Sequence, residues 1–493
     1  MNASKPIDTL PQFASRFARG VLWTGGSSVG TSLVRLLTIA VLTRLLTPQD
    51  FGLFSLCLLV VDFGNDLGDF GTGTAIIQHP QLTPPLLNTV FWISFVGNLG
   101  LCLGVIIVAP LLAWFFKEKV LFDLIVVSSI SFPIRSAGFV QRAIMQKELL
   151  FNRIAFIEVC STIVFGTVAI VLAYRGFGVW SLIYGVLAHR IADVILLWCL
   201  SKFRPAFEFR KEECGFVYHF AKNITGERIA YFFSSRMDHI IIGRMLGTAA
   251  LGYYMLASEV TSIPQKRISA IVSSVAVPTF SLFQGHADRL KNAYIKVNKT
   301  LSLVTFPLLS GLAALAPEFV YTFYGQTWTP VIVPMQILCV AGAIRSIMHN
   351  NGAILYARLR PDISFRWALI QLVTIPLPLI AGAYFGINGI AAALSATFVV
   401  YFFYIQHIIN SEINIRLYNY LSKLLPVTIG SFILFCTCIF VKTALSSAIR
   451  MESGIVLIAT GLIGGALYLY LMRIIDRSSW NEITKLAKKV LSV

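Results

Sequence analysis

Apolar stretches of roughly 20 residues follow one another between residues 20 and 475, each long enough to cross a hydrocarbon core of ~30 Å. That feature leaves the chain few folds. In lipid every backbone N–H and C=O must find its partner within the protein, so only helices and closed barrels span a membrane. No segment alternates polar and apolar residues as a barrel strand must. Charged residues make up 13% of the chain, against about 25% in soluble domains. The fold class is therefore all-α and polytopic.

Hydropathy and turn residues place about fourteen spans. Six fall in a first half at 20–45, 50–73, 88–115, 120–141, 153–174 and 178–200. Six more lie at 218–245, 252–283, 298–323, 329–356, 364–385 and 388–409, and a last pair at 421–443 and 453–475. The expected organisation is a tail at 1–19, an N-lobe at 20–200, a basic linker at 201–217 and a C-lobe at 218–409. The extra pair at 410–475 and a basic amphipathic tail at 476–493 follow.

Charge sets the expected orientation. With the N-terminus inside, the even-numbered connections and both tails collect about 25 Lys and Arg, against about seven outside. Both termini are thus expected in the cytoplasm, and the +17 net charge needs no nucleic acid to explain it. Lys5, Arg16 and Arg19 precede no short apolar core with a cleavage site, so the first span reads as uncleaved.

The two halves carry a weak repeat. Val41 to Phe54 lies over Ile241 to Tyr254, with Arg44/Arg244, Leu46/Leu246 and Gly52/Gly252 identical. Further on, Ile134-Arg135-Ser136 matches Ile344-Arg345-Ser346. An offset of six spans, an even number, makes these parallel repeats about an axis near the membrane normal, an arrangement common in transporters. No connection is long enough for a catalytic domain, which counts against a membrane glycosyltransferase, ligase or polymerase. The cysteines lack metal-site spacing and read as packing residues. No nucleotide, zincin or nucleophile motif is present, so no cofactor and no metal are expected.

Ionisable groups inside spans are costly unless they face a cavity or a partner. Arg228, Arg236 and His239 share one arc of span 7, with Asp238 to one side, as either a cavity wall or structural ion pairs. Lys266 and Arg267 follow Pro264 and share a face with Glu259, which makes them an anion-binding position or a bridge to that glutamate. Arg135 and Arg345 are repeat-related, and Arg35 sits in span 1; an arginine fork donates two parallel hydrogen bonds to phosphate. Asp62, Asn65, Asp66 and Asp69 face one way on span 2, as a coupling-ion stripe, a gate that pairs with Arg135 or Arg142, or a structural network. His189 and Arg190 beside Asp193 read as a satisfied cluster, and Asn350, Asn351 and Gln371 as packing amides or donors to sugar hydroxyls.

The run from Phe51-Gly52-Leu53 through Asp69-Phe70-Gly71 to Ala75-Ile76-Ile77-Gln78 resembles a known family. So do Met145-Gln146-Lys147-Glu148-Leu149, Gly178-Val179-Trp180-Ser181-Leu182 and the stretch from Asp238 to Tyr254. Pro278-Thr279-Phe280-Ser281, Trp328-Thr329-Pro330 and Arg360-Pro361-Asp362-Ile363-Ser364-Phe365 complete the match. Together they resemble bacterial polysaccharide exporters of the colanic-acid-exporter type, Wzx-like flippases of the multidrug/oligosaccharidyl-lipid/polysaccharide superfamily. The departure is Leu359, where the family usually has a small residue; its place in a turn suggests little effect.

The resemblance implies a fourteen-helix fold of two six-helix lobes around a central, often cationic cavity. It implies translocation of an undecaprenyl-diphosphate-linked oligosaccharide between leaflets of the bacterial cytoplasmic membrane, with lipids and polysaccharide polymerase or assembly proteins as partners. Arg35, Arg135, Arg228, Arg236, Lys266, Arg267 and Arg345 are then the substrate-binding candidates. Asp62, Asp66, Asp69, Asp238 and Glu259 are the gating or coupling candidates. A small-solute or drug antiporter of the same superfamily is the alternative, and would favour carboxylates and aromatics.

Overall fold

The computed structural model describes residues 10–68, 76, 82–208, 229–284, 286–448 and 453–476. The candidates Asp69 and Arg228, Cys214, the linker from 209 onward and the tail from 477 onward lie outside the described residues. Everything described is helix and short connection. In order come α1 (Leu10–Leu45), α2 (Pro48–Gly68), α3 (Pro84–Phe116), α4 (Val120–Ser129), α5 (Ser131–Ser136) and α6 (Phe139–Lys147). Then come α7 (Phe151–Tyr174), α8 (Val179–Leu200), α9 (229–245), α10 (Thr248–Leu282), α11 (Ala287–Ala314) and α12 (Ala316–Phe323). A 3₁₀ turn (Gln326–Val331) leads into α13 (Ile332–Met348), α14 (Asn351–Ala357), α15 (Pro361–Thr374) and α16 (Pro376–Ala383). The last three are α17 (Gly386–Glu412), α18 (Leu417–Ala448) and α19 (Ser453–Ile475).

Among the described residues ten helices are long and apolar enough to cross a membrane, or twelve if each of two bent pairs is one span. This is coarser than the fourteen spans expected. The two expected spans not counted are those at α9, described over 229–245, and at α10, which carries Glu259, Lys266 and Arg267. The bends have local causes. Between α5 and α6 the 45° turn falls at Ala137–Gly138. Between α11 and α12 the 73° turn precedes Pro317, which has no N–H to continue a helix.

The contacts divide the chain into two compact units: residues 1–46 with 53–233, and residues 47–52 with 234–493. In the first unit α1 and α8 pack on α7, and α3 packs on α4 and α5. Its core includes Leu86, Val90 and Val140, and separately Val61, Cys102 and Phe132. In the second unit α11 packs on α18, α13 on α17 and α10 on α13. Phe280, Tyr294, Ile405 and Tyr420 belong to one of its cores. The last pair, α18 and α19, is tied to the same unit at both ends. Lys299 meets Asp476 at 2.5 Å, and Lys442 reaches Glu318 at 3.4 Å and the Ala314 carbonyl at 3.0 Å.

Helix starts follow from sequence. Thr47 and Asp50 cap α2 reciprocally: Asp50 Oδ2 accepts from the Thr47 N–H at 2.9 Å, while the Asp50 N–H donates to Thr47 Oγ1 at 3.3 Å. Pro48 fits the first helical position. At the corresponding place Gly247, at φ +86, ends α9 and starts α10. Leu359 also lies in the left-handed region, at φ +58, with the Arg360 N–H closing back on the Leu355 carbonyl at 2.9 Å. A small residue belongs there for a physical reason, since a β-carbon costs about 1 kcal/mol in that conformation. The expectation that Leu359 matters little is corrected on this point.

The cysteine expectation holds in part. Cys57, Cys102, Cys339 and Cys438 are buried, but Cys199 and Cys436 are exposed on the outside of their helices.

Candidate functional site

Two clusters of charged groups sit inside the helical bundles, one in each unit. In the first unit a Cβ on Gly64 would overlap the Phe132 ring, so α2 and α5 lie close. That approach brings Arg135 to α2. Its Nη1 donates to the Asn65 backbone carbonyl at 3.0 Å and to Asn65 Oδ1 at 3.1 Å. Asp62 and Asp66 flank Asn65 on the same helix, Asp62 half-buried and Asp66 exposed. Of the two arginines that could meet the polar face of α2, Arg135 does so, at Asn65.

Arg142 does not. Its Nη2 lies 2.5 Å from Asp193 Oδ1 on α8 and its Nη1 lies 3.4 Å from Glu158 Oε1 on α7. Of these carboxylates Asp193 is the buried one. Arg190, on α8, lies within electrostatic reach of Arg135, Arg142, Asp193 and Asp62. His189 is likewise in reach of Arg35 and Arg142. Three arginines on three helices, α5, α6 and α8, thus share one region with the carboxylates of Asp62, Glu158 and Asp193. Arg35 is exposed on α1 at the edge of this group.

The cluster of His189, Arg190 and Asp193 on α8 is joined by Arg142 from α6, which pairs with Asp193. Nothing in one helix's periodicity carries that information.

The second unit gathers a different set. Asp238 is 7% exposed, and both its oxygens are used. Oδ1 accepts from the His239 N–H and faces His239 Nδ1, each at 2.9 Å, while Oδ2 accepts from the Tyr254 hydroxyl at 2.8 Å. Arg345 is in electrostatic reach of Tyr254, and its guanidinium lies 5.0 Å from the centre of the Phe398 ring on α17. The repeat-related arginines therefore have different immediate partners, an amide and carbonyl for Arg135 and an aromatic face for Arg345. Arg236, Glu259 and Arg267 are half-buried, and Lys266 is exposed. Glu259 is in electrostatic reach of Tyr324.

The amides are mostly used in packing. Asn350 Oδ1 accepts from Ser273 at 2.8 Å, and Asn351 Oδ1 accepts from the buried Tyr294 hydroxyl at 2.9 Å. Among the described residues no three His, Cys, Asp or Glu side chains converge as a metal site.

Membrane-length helices with arginines held among them define a multi-pass helical membrane protein. Over 92% of this chain and 98% of the other, the fold matches that of the lipid II flippase MurJ in an inward closed conformation, with a TM-score of 0.72 at 15% identity. The chain belongs to the polysaccharide biosynthesis protein family, whose sequence model matches residues 41–333. It is 27% identical to the lipopolysaccharide biosynthesis protein WzxC of Escherichia coli (strain K12), over 84% of this chain and 87% of WzxC. With the succinoglycan biosynthesis transport protein ExoT of Rhizobium meliloti (strain 1021) it shares 26% identity, over 73% of each chain. The resemblance read from the sequence motifs is thereby shown.

Proposed function

We propose that this protein is a flippase that moves undecaprenyl-diphosphate-linked oligosaccharide units from the inner to the outer leaflet of the bacterial cytoplasmic membrane. The observation that carries the reading is the crowding of Arg135, Arg142 and Arg190 within the first unit. A diphosphate cannot cross hydrocarbon unaided, since even one charge there costs several kcal/mol. Arginine forks can replace its hydration while the lipid tail stays in the bilayer.

On this reading Arg35, Arg135, Arg236, Lys266, Arg267 and Arg345 bind the head group, and Asp62, Asp66, Asp238 and Glu259 gate or couple its passage. The full architecture is fourteen spans in two repeated six-helix lobes plus a final pair, with both termini cytoplasmic, working by alternating access. A potential negative inside favours outward movement of an anion by about 2.3 kcal/mol per charge per 100 mV, so no nucleotide is needed. Polymerase or assembly proteins would take the product.

The test is the sidedness of lipid-linked oligosaccharide in a strain lacking its own exporter. Outer-leaflet appearance with this protein, lost in the Arg135→Ala/Arg345→Ala variant, is expected. Unchanged sidedness with drug resistance gained would favour the small-solute antiporter instead.

A further inference from the structure

A cleft of about 500 Å³ opens where α17 ends and α18 begins, lined among others by His407, Asn410, Ser411, Asn414 and Arg416. It is in the second unit and involves none of the transport candidates. The turn that shapes it is fixed. Asn414 adopts the left-handed conformation at φ +52, and the Ile413 and Ile415 N–H groups close on the carbonyls of Ile409 and Asn410 at 3.1 and 2.9 Å.

Three features make this cleft a place for negative charge. Arg416 and Leu417 line it at the start of a 32-residue helix, where the Asn419 and Tyr420 N–H groups already donate to the Arg416 carbonyl and those of Leu417 and Tyr418 are left at the positive end of the dipole. Asn410 is 5% exposed; its Oδ1 already accepts from Gln406 Nε2 at 2.8 Å, and its Nδ2 has no acceptor among the described residues. No carboxylate lines the cleft, and nearby Glu412 is engaged by Arg360 at 2.8 Å. The lining residues thus supply donors and no competing acid. The arginine suits a phosphate, as does His407 when protonated.

We propose that this cleft binds a phosphate-bearing anion, held by the Arg416 guanidinium, the first amides of α18 and the side chains of His407 and Asn410. Two sources share that chemistry, a free phosphate and the head group of an acidic phospholipid.

The experiment follows thermal stability of the full chain in an uncharged detergent. One arm titrates inorganic phosphate against chloride of equal ionic strength. The other titrates dihexanoylphosphatidylglycerol against dihexanoylphosphatidylcholine. A saturable rise in the melting midpoint is expected in at least one arm, with the apparent Kd weakened at least tenfold by Arg416→Gln and unchanged by Arg366→Gln, an exposed arginine outside the cleft. Saturation with inorganic phosphate assigns the free anion as sufficient, and saturation only with phosphatidylglycerol assigns the lipid head group. Arg416 is exposed, so its replacement leaves the fold intact. Absence of saturation in both arms, or equal losses in Arg416→Gln and Arg366→Gln, overturns the site. Neither result bears on flipping, which is read by lipid sidedness.

Discussion

Gly52 and Gly252 hold the first turns of α2 and α10 backbone to backbone, and the relationship is reciprocal. A Cβ on Gly52 would overlap the carbonyl of Thr248, and one on Gly252 would overlap the carbonyl of Pro48. Each glycine thus rests on the residue four places before the other. Aromatic rings close over the contact: Phe51 and Tyr253 both meet Trp328 edge-on, with centroids 5.2 and 5.7 Å away.

This contact predicts strong intolerance at both glycines. A side chain there meets backbone, which cannot rotate away, so Gly52→Val or Gly252→Val should cost about 2–4 kcal/mol or prevent folding. Gly100→Ala, where nothing lies within 4 Å, should be neutral or slightly stabilising. Thermal midpoints in detergent check the contrast, and equal tolerance at all three positions would refute the close approach.

Leu359→Gly should raise stability. The residue is 78% exposed and at φ +58, so the exchange relieves backbone strain with little loss of packing. A gain of about 1 kcal/mol is expected, visible as a higher melting midpoint. A loss would mean that the leucine side chain is held by contacts the turn geometry does not suggest.

Arg142 and Asp193 should couple in a double-mutant cycle. Arg142→Ala leaves the buried Asp193 carboxylate with Arg190 as its remaining neighbouring cation and is expected to cost about 1–3 kcal/mol. The double variant Arg142→Ala/Asp193→Ala should be less damaged than the sum of the two single changes. Additive effects would show that the 2.5 Å contact contributes nothing to the fold.

Tyr254→Phe tests the buried carboxylate of the second unit. Removing one donor from Asp238 should destabilise by about 1–3 kcal/mol without altering size or shape. His239 keeps its hold on the other oxygen. Chemical denaturation in mixed micelles reads the difference, and an unchanged midpoint would remove Tyr254 from the cluster's support.

Arg135→Lys should separate charge from geometry in transport. Lysine keeps the charge but loses the guanidinium, whose Nη1 donates to both the Asn65 carbonyl and Asn65 Oδ1. If the proposed function holds, the initial flipping rate should fall about tenfold or more, with the protein still folded. A rate equal to wild type would show that any cation suffices there.

Sequence alone settled that this chain is a helical membrane protein of the polysaccharide biosynthesis family. Hydrocarbon permits few backbone arrangements, and runs of apolar residues announce them directly. It also grouped Asp62, Asn65 and Asp66 on one face of α2 by spacings of three and four, but left open whether Arg135, Arg142 or neither meets that face. What it left open depends on which helices become neighbours. Periodicity gives the direction a side chain takes from its own axis and nothing about the element it meets. So Arg142 reaching Asp193 across from α6 to α8, the aromatic partner of Arg345, and the mutual seating of Gly52 and Gly252 were decided only by tertiary packing. The same holds for Leu359: its strain belongs to a turn whose hydrogen bonds form only when α14 has ended and α15 begun.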